Sequence, residues 1–235
     1  MQKTKDEKII HNLKKTFFFQ EMDDAFFEMA APHFQQKKLQ KSATIDSEET
    51  LKYFYVIIEG NVKTSYLNPE NARSITPFLL SEYEVFDIVP VIDKKENMID
   101  YIALDTCILL QIEAHYIRLW IEKYPQLNTN LLQCLAKKFR EIEEFSRSLV
   151  FYDTKTRLAN LLLKHAIKEQ ENSSSKITNK LSHETLSQMI GSVRSIVTRD
   201  LQELKKDGII LDKRATIIVR NLEKLKERCA KYIDL

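Results

Sequence analysis

The chain has 235 residues, of which 43% are hydrophobic and 30% charged, with a formal net charge of +2; this is ordinary globular composition, neither fibrous nor disordered. No apolar run approaches the ~20 residues of a membrane span, and Met1 to Lys8 is charged with no apolar h-region behind it, so neither a membrane partner nor a secretory signal is expected. Cys107, Cys134 and Cys229 stand alone, never in CxxC spacing, which excludes a disulfide framework, an all-cysteine zinc site and a four-cysteine iron–sulfur cluster and fits a reducing cytoplasm.

Residues 1 to 31 read as helical, with Asp23 and Asp24 as caps for a helix through Phe26, Phe27 and Met29 that ends at Pro32. From His33 to Ile112 short β-branched and aromatic segments alternate with polar breaks: Tyr53–Ile58, Val62–Leu67, Ser74–Leu80, Val85–Val91, Ile99–Leu104 and Cys107–Ile112. Evenly spaced short strands predict a β-sandwich or barrel. Glu59-Gly60-Asn61 reads as a hairpin turn, because Gly and Asn both tolerate left-handed backbone.

Ala114 to Lys123 predicts a short helix, and Gln126 to Phe151 the longest one. On the latter, Leu135, Ile142 and Leu149 recur every seven residues, with Leu131 and Phe145 on the partnering heptad position, and Lys138 interrupts this seam. Such a stripe fits either a helix packed on its own domain, the commoner case for about three heptads, or a parallel dimer helix, to which the length of this helix also points. Asp153-Thr154 caps a further helix, Lys155 to Glu169, and Glu171 to Lys176 reads as a flexible loop.

The chain holds only three glycines, Gly60, Gly191 and Gly208, which excludes a GxGxxG dinucleotide loop and a P-loop. Charge is uneven: from Lys176 onward 13 Lys and Arg face 8 Asp and Glu, whereas the preceding residues carry 23 against 26. A basic back half tolerates a polyanion.

That back half carries the most informative stretch. Ser182 caps a short helix whose core face is Leu186, Met189 and Ile190; Gly191 turns the chain; a second helix starts near Ser192 and buries Val193, Ile196, Val197, Leu201 and Leu204. The other face of this second helix shows Arg194, Ser195, Thr198, Arg199 and Lys205, and Gly208 ends it. Ile209 to Leu211, a turn with Lys213 and Arg214, and Thr216 to Val219 form a two-stranded wing with a basic tip. This order predicts a helix-turn-helix, with arginines able to read guanine in the major groove, Ser and Thr able to bond phosphate or base edges, Lys213 and Arg214 placed to touch the backbone, and Ser192 and Lys205 as further DNA contacts. No Ser-His-Asp spacing, metal-ligand pair or paired-carboxylate motif stands out, so an enzyme is not expected.

Three segments resemble the cyclic-AMP receptor protein / fumarate–nitrate reductase regulator (Crp/Fnr) family of bacterial transcription factors: Tyr55-Val-Ile-Ile-Glu-Gly-Asn-Val62, Phe151-Tyr-Asp-Thr-Lys-Thr-Arg-Leu-Ala159 and Gln188-Met-Ile-Gly-Ser-Val-Arg-Ser-Ile-Val-Thr-Arg199. The resemblance implies an α+β chain: a cyclic-nucleotide-binding-like jelly-roll domain over residues 1–124, a dimerisation helix over 125–152, and a winged helix-turn-helix over 153–235. It also implies a homodimer on a two-fold double-stranded DNA operator, with RNA polymerase as a further partner, and an effector pocket touching Phe86, Asp87 and Ile142.

The departures from that pattern are as informative. Asp87 and Ile88 replace the family's phosphate-binding Gly-Glu pair, and Met98 and Ile99 replace its Arg-Ser pair, so Asp87 would repel a cyclic-AMP phosphate. Ile142-Glu143 matches the adenine-binding Thr-Ser pair, and Ser195 stands where the family usually has Glu. The signal is therefore expected to be something other than cyclic AMP, with haem, nitric oxide or redox chemistry open; His33 and His115 are the candidate haem ligands. The competing reading is a small-molecule-binding protein of the same fold without DNA-binding activity.

Overall fold

The computed structural model describes residues 2–171, 181–213 and 216–229. The front of the chain forms α1 (Gln2–Lys15), α2 (Asp24–Ala30), β1 (Gln35–Leu39), β2 (Thr44–Ile45), α3 (Ser47–Lys52), β3 (Tyr53–Glu59) and β4 (Val62–Leu67). Next come β5 (Ser74–Ile75), β6 (Leu79–Leu80), β7 (Val85–Phe86), α4 (Ile88–Asp93), β8 (Asp100–Ala103), β9 (Cys107–Glu113) and α5 (Ala114–Lys123). The long α6 (Pro125–Phe151) leads to α7 (Thr154–Glu171), α8 (His183–Met189), α9 (Arg194–Lys206), β10 (Ile210–Lys213), β11 (Thr216–Val219) and α10 (Leu222–Glu227). By internal contacts the chain divides into one unit of residues 1–67 with 78–141 and a second of 68–77 with 142–235.

In the first unit β1-β9-β3-β7 make one antiparallel sheet, and β2-β8-β4, with β6 on β4, make another. The strand β3 explains why both faces must be apolar. Its residues alternate: Phe54 and Val56 join a core with Phe18, Phe19, Phe26, Phe34 and Trp120, whereas Tyr55 and Ile57 join the core between the sheets. The neighbouring β9 divides the same way, with Leu110 and Ile112 in the first core and Cys107 and Leu109 in the second. Phenylalanine rings meet edge-on there, such as Phe18 on Phe19 at 5.0 Å and Phe26 on Trp120 at 5.3 Å. The Asp23 side chain accepts from the Phe26 amide at 2.8 Å and starts α2, as the sequence predicts.

Several local expectations fail for identifiable reasons. Glu59-Gly60-Asn61 is no hairpin turn, because β3 and β4 lie in different sheets; it is a corner between them. Gly60 has φ +92°, and a Cβ there would come within 2.8 Å of Thr106 carbonyl oxygen and Cys107 Sγ. The apolar run Val85–Val91 is a two-residue strand followed by α4, and Ser74–Leu80 splits into β5 and β6 around Pro77. The strand β1, Gln-Gln-Lys-Lys-Leu, is too polar for a periodicity reading; its pairing with β9 alone makes it a strand.

In the second unit, Leu158, Leu162 and Leu163 of α7 are buried together with Leu186, Val197, Leu201, Leu204, Ile209 and Leu225 of the elements that follow. The α6–α7 turn is chemically tight. Asp153 accepts from the Thr156 amide at 2.8 Å, and Arg157 donates to the carbonyls of Leu149 and Tyr152, both at 3.2 Å, closing the end of α6. Residues 68–77 belong to this unit as well: the Thr76 amide donates to the Gln188 carbonyl at 3.1 Å. The expected loop at 171–176 falls beyond the described residues after Glu171, the last residue of α7.

Candidate nucleic-acid interface

Ser182 caps α8, its hydroxyl accepting from the Thr185 amide at 3.0 Å. Gly191, with φ +60°, turns the chain, and a Cβ on it would sit 2.5 Å from Leu149 Cδ2. The helix α9 then opens at Arg194, not Ser192, with Val193 as an N-cap residue that offers no side-chain acceptor. Its first amides are thus left without a side-chain cap, the arrangement that suits a phosphate oxygen.

Arg194, Ser195, Arg199 and Lys205 are exposed on α9, and Ser192 is half-buried in the turn. Val193, expected in the core, is exposed, and Asp200 takes a core position with 2% exposure. Arg199 reaches back to Asp200, Nη2 lying 3.3 Å from Oδ1, while Oδ2 has no hydrogen-bond partner among the described residues. Thr198 is half-buried and already engaged: its Oγ1 lies 3.0 Å from His183 Nδ1, and His183 Nε2 lies 3.3 Å from Asp212 Oδ2 on β10. Sequence reading missed His183, because α8 residue 1 and strand residue 212 meet only in the folded unit. The wing forms as predicted, with Ile210 opposite Val219 and Lys213 opposite Thr216; Lys213 ends β10, and Arg214 lies outside the described residues.

On α6 the expected seam residues separate. Leu131 is buried in its own unit's core with 5% exposure, whereas Leu132 and Phe139, seven apart, are 59% and 65% exposed. Lys138, the apparent fault in the seam, lies 4.6 Å from the Phe78 ring centroid and pairs with Glu141 at 3.2 Å, so its own unit occupies it. Leu135, Ile142 and Phe145 are half-buried, and Leu149 is partly exposed. With Leu135, Ile142 and Leu149, the exposed pair restores a 3–4 spacing one residue away from the expected partner positions.

Of the residues expected at an effector pocket, Phe86 and Asp87 lie inside packed structure, whereas Ile142 is half-buried on α6. Phe86 stacks between Tyr55 at 5.0 Å and Tyr101 at 4.3 Å. Asp87 is 3% exposed; burial pushes its carboxyl up from 3.8 to about 6, against hydrogen bonds involving Tyr101, Asn97 and Thr50 that pull it down. Nearby, Tyr55 donates to Glu49 at 2.6 Å, and Glu49 also pairs with Lys37. Ile88 and Ile99 are buried and Met98 is exposed, so none of the four substituted cassette positions presents a cation to an anionic ligand. These residues do not fit a cyclic-nucleotide phosphate.

His33 and His115 both stack on Tyr116, at 4.1 and 4.0 Å, and His115 Nδ1 lies 3.1 Å from Glu113 Oε2. His33 and Tyr116 line an open groove of about 520 Å³ with Met29, Leu119 and Trp120. His33 is half-buried and His115 exposed. Burial pushes the thiols of Cys107 and Cys229 up to about 11, unfavourable for a thiolate-based redox sensor. Among the described residues no cluster of three or more His, Cys, Asp or Glu could hold a metal ion, and no helix is long and apolar enough to cross a membrane.

A family model described as a Crp-like helix-turn-helix domain matches residues 156–228, which take in the helix-turn-helix and its wing. The chain is 23% identical over 176 residues to the CRP-like cAMP-activated global transcriptional regulator of Mycobacterium tuberculosis, covering 74% of this chain and 78% of that protein. It is 27% identical over 171 residues to the global nitrogen regulator of Synechocystis, covering 71% and 76%. In fold it matches the structure of FixK2 from Bradyrhizobium japonicum with a TM-score of 0.74 at 17% identity, covering 85% of this chain and 99% of that one. The chain thus carries a Crp-like helix-turn-helix domain, and its relatives support a regulator of Crp/Fnr type. A transcription regulator is what these matches support, with α9 inside the helix-turn-helix domain. The mycobacterial relative is named for cyclic AMP; residues 87, 88 and 99 of this chain are a buried carboxyl and two buried apolar side chains.

Proposed function

We propose that this Crp/Fnr regulator works in the cytoplasm as a homodimer on a two-fold DNA operator, recruits RNA polymerase, and responds through its β domain to a signal other than cyclic AMP. In this reading residues 1–124 sense, 125–152 dimerise and 153–235 bind DNA. The chain carries no catalytic role. Its DNA contacts are Arg194, Ser195 and Arg199 at base edges, with Ser192, Lys205, Lys213 and Arg214 on phosphates. Thr198 acts on the same face through its bond to His183.

The observation that carries the proposal is the pairing of an exposed Arg/Ser face on α9 with an apolar stripe on the longest helix, in which exposed Leu132, Phe139 and Leu149 alternate with half-buried Leu135 and Ile142. A solvated leucine–phenylalanine stripe at heptad spacing is covered when a second copy lies along it. Dimerisation then presents two recognition helices to successive major-groove faces. Against cyclic AMP stand buried Asp87 and the Tyr55–Phe86–Tyr101 stack that occupies the space between the sheets.

The test is selection of duplexes from a random library by the purified protein, followed by sedimentation of the selected complex. The proposal predicts an inverted repeat with half-site centres about 10–10.5 base pairs or a multiple apart, bound by two chains, and selection unchanged by added cyclic AMP. A single half-site bound by one chain would contradict the dimer, and no selection at all would favour a ligand-binding protein without DNA activity.

A further inference from the structure

His183 is the first residue of α8, yet its ring joins three elements of the DNA-binding unit. One nitrogen meets Thr198 in the middle of α9, and the other meets Asp212 in the wing strand β10. His183 and Asp212 keep only 25% and 23% of their side-chain surface, so the contacts are partly shielded from water. By helical spacing Thr198 lies among Arg194, Ser195, Arg199 and Gln202, on the exposed side of the recognition helix.

The hydrogen-bonding chemistry fixes a direction. The Asp212 carboxylate stands 3.3 Å from Nε2, and its negative charge favours a proton on that nitrogen over a bare lone pair. In neutral imidazole Nδ1 is then a bare acceptor, and the proton it receives is that of the Thr198 hydroxyl. With its proton committed to His183, Thr198 oxygen has only lone pairs left to offer outward. In the major groove, adenine N6 and cytosine N4 donate, whereas guanine N7 and O6 and thymine O4 accept.

We infer that His183, held by Asp212, is a positioning residue that makes Thr198 a one-way hydrogen-bond acceptor in the recognition helix, so that the base step facing Thr198 is read through the exocyclic amine of adenine or cytosine. The inference rests on the DNA-binding reading of α9 and adds a specificity determinant that touches no DNA itself. It also gives the wing a second role, since Asp212 sets the tautomer on which base preference depends.

Library selection with the full-length protein tests it through three variants, each checked for native thermal unfolding. Thr198→Val removes the hydroxyl at nearly constant volume and identifies the base step that Thr198 faces. At that step the wild type prefers adenine or cytosine by about five-fold, the size of one net hydrogen bond. His183→Phe frees the Thr198 hydroxyl to donate or accept, and Asp212→Asn, whose amide does either, releases the tautomer. Both are expected to lower the preference at that single step to near unity and to leave the steps read by Arg194 and Arg199 unchanged. A wild type that prefers guanine or thymine at the Thr198 step, or variants that keep the wild-type preference there, would overturn the inference while leaving DNA binding intact. A wild type that selects no sequence would overturn the DNA-binding reading as well.

Discussion

Asp87 carries a cost that the sequence shows only as a substitution. Its carboxyl rises from 3.8 to about 6, chiefly because burial disfavours its charge. A raised carboxyl binds its proton more tightly in the folded than in the unfolded chain, so its stabilising effect is complete below about pH 4 and is lost as pH climbs through about 6. Asp87→Asn keeps an acceptor oxygen and removes the charge. It should raise stability at pH 7.5 by roughly 2–3 kcal/mol and flatten the pH dependence between about 4 and 6. Thermal unfolding across pH measures both, and a variant that melts lower than wild type at pH 7.5 would contradict this account. On α9 the two arginines part ways. Arg194→Ala should weaken sequence selection with little change in melting temperature, whereas Arg199→Ala also strips the counter-charge from Asp200 and should cost about 1 kcal/mol of stability. Adding Asp200→Leu to Arg199→Ala should restore the melting temperature but not the selection; equal melting temperatures for the two single variants would remove the role given to Asp200. The exposed arginines and the two paired wing strands were legible in the sequence, since residue type and spacing suffice to place them. The buried aspartate was not, because a side chain one position from an arginine reads equally well as a surface ion pair.

The element where sequence and structure differ most usefully is α6. A seven-residue repeat on a lone helix cannot tell which of two adjacent residues meets the helix's own β domain. Leu131 and Leu132 are such a pair, and the phenylalanine-rich core takes Leu131. Phe139→Glu, on the exposed stripe, should shift the protein from dimer to monomer in sedimentation while its melting temperature at low concentration stays near that of wild type. Leu131→Ala should cost about 2–5 kcal/mol of stability through a core cavity and leave the association state alone. The reverse pattern would return the seam to the positions first read from the sequence. Strands were legible where both faces are buried, as in β3, and illegible where a neighbour alone makes the strand, as in β1. The corner at Gly60 was misread because a left-handed Gly-Asn pair serves a hairpin and a sheet-to-sheet crossing equally well. Gly60→Ala should therefore be more damaging than a turn substitution, since the new methyl meets backbone and Cys107 together; chemical denaturation compares it with Gly208→Ala, where a Cβ meets nothing within 4 Å.

At the scale of the whole molecule, the order of elements carried the fold: a run of short strands, one long helix, then a glycine-turned helix pair and a wing. Each leaves a period or a punctuation mark in the sequence. Residues 68–77 do not, and their assignment to the DNA-binding unit through Thr76 and Gln188 is knowable only from the folded chain. The filled interior between the sheets was likewise hidden, because the same aromatic residues suit a ligand pocket or a packed core. The regulator's function stands on α9 facing a duplex. Its most direct measurement is the equilibrium binding of the purified protein to its selected duplex across salt concentrations, beside Lys205→Ala and Arg194→Ala. The predicted result is a steep linear fall of log K with log salt, a slope reduced by about one for Lys205→Ala, and relaxed base preference for Arg194→Ala. Binding that is insensitive to salt and unaltered by either substitution would contradict it.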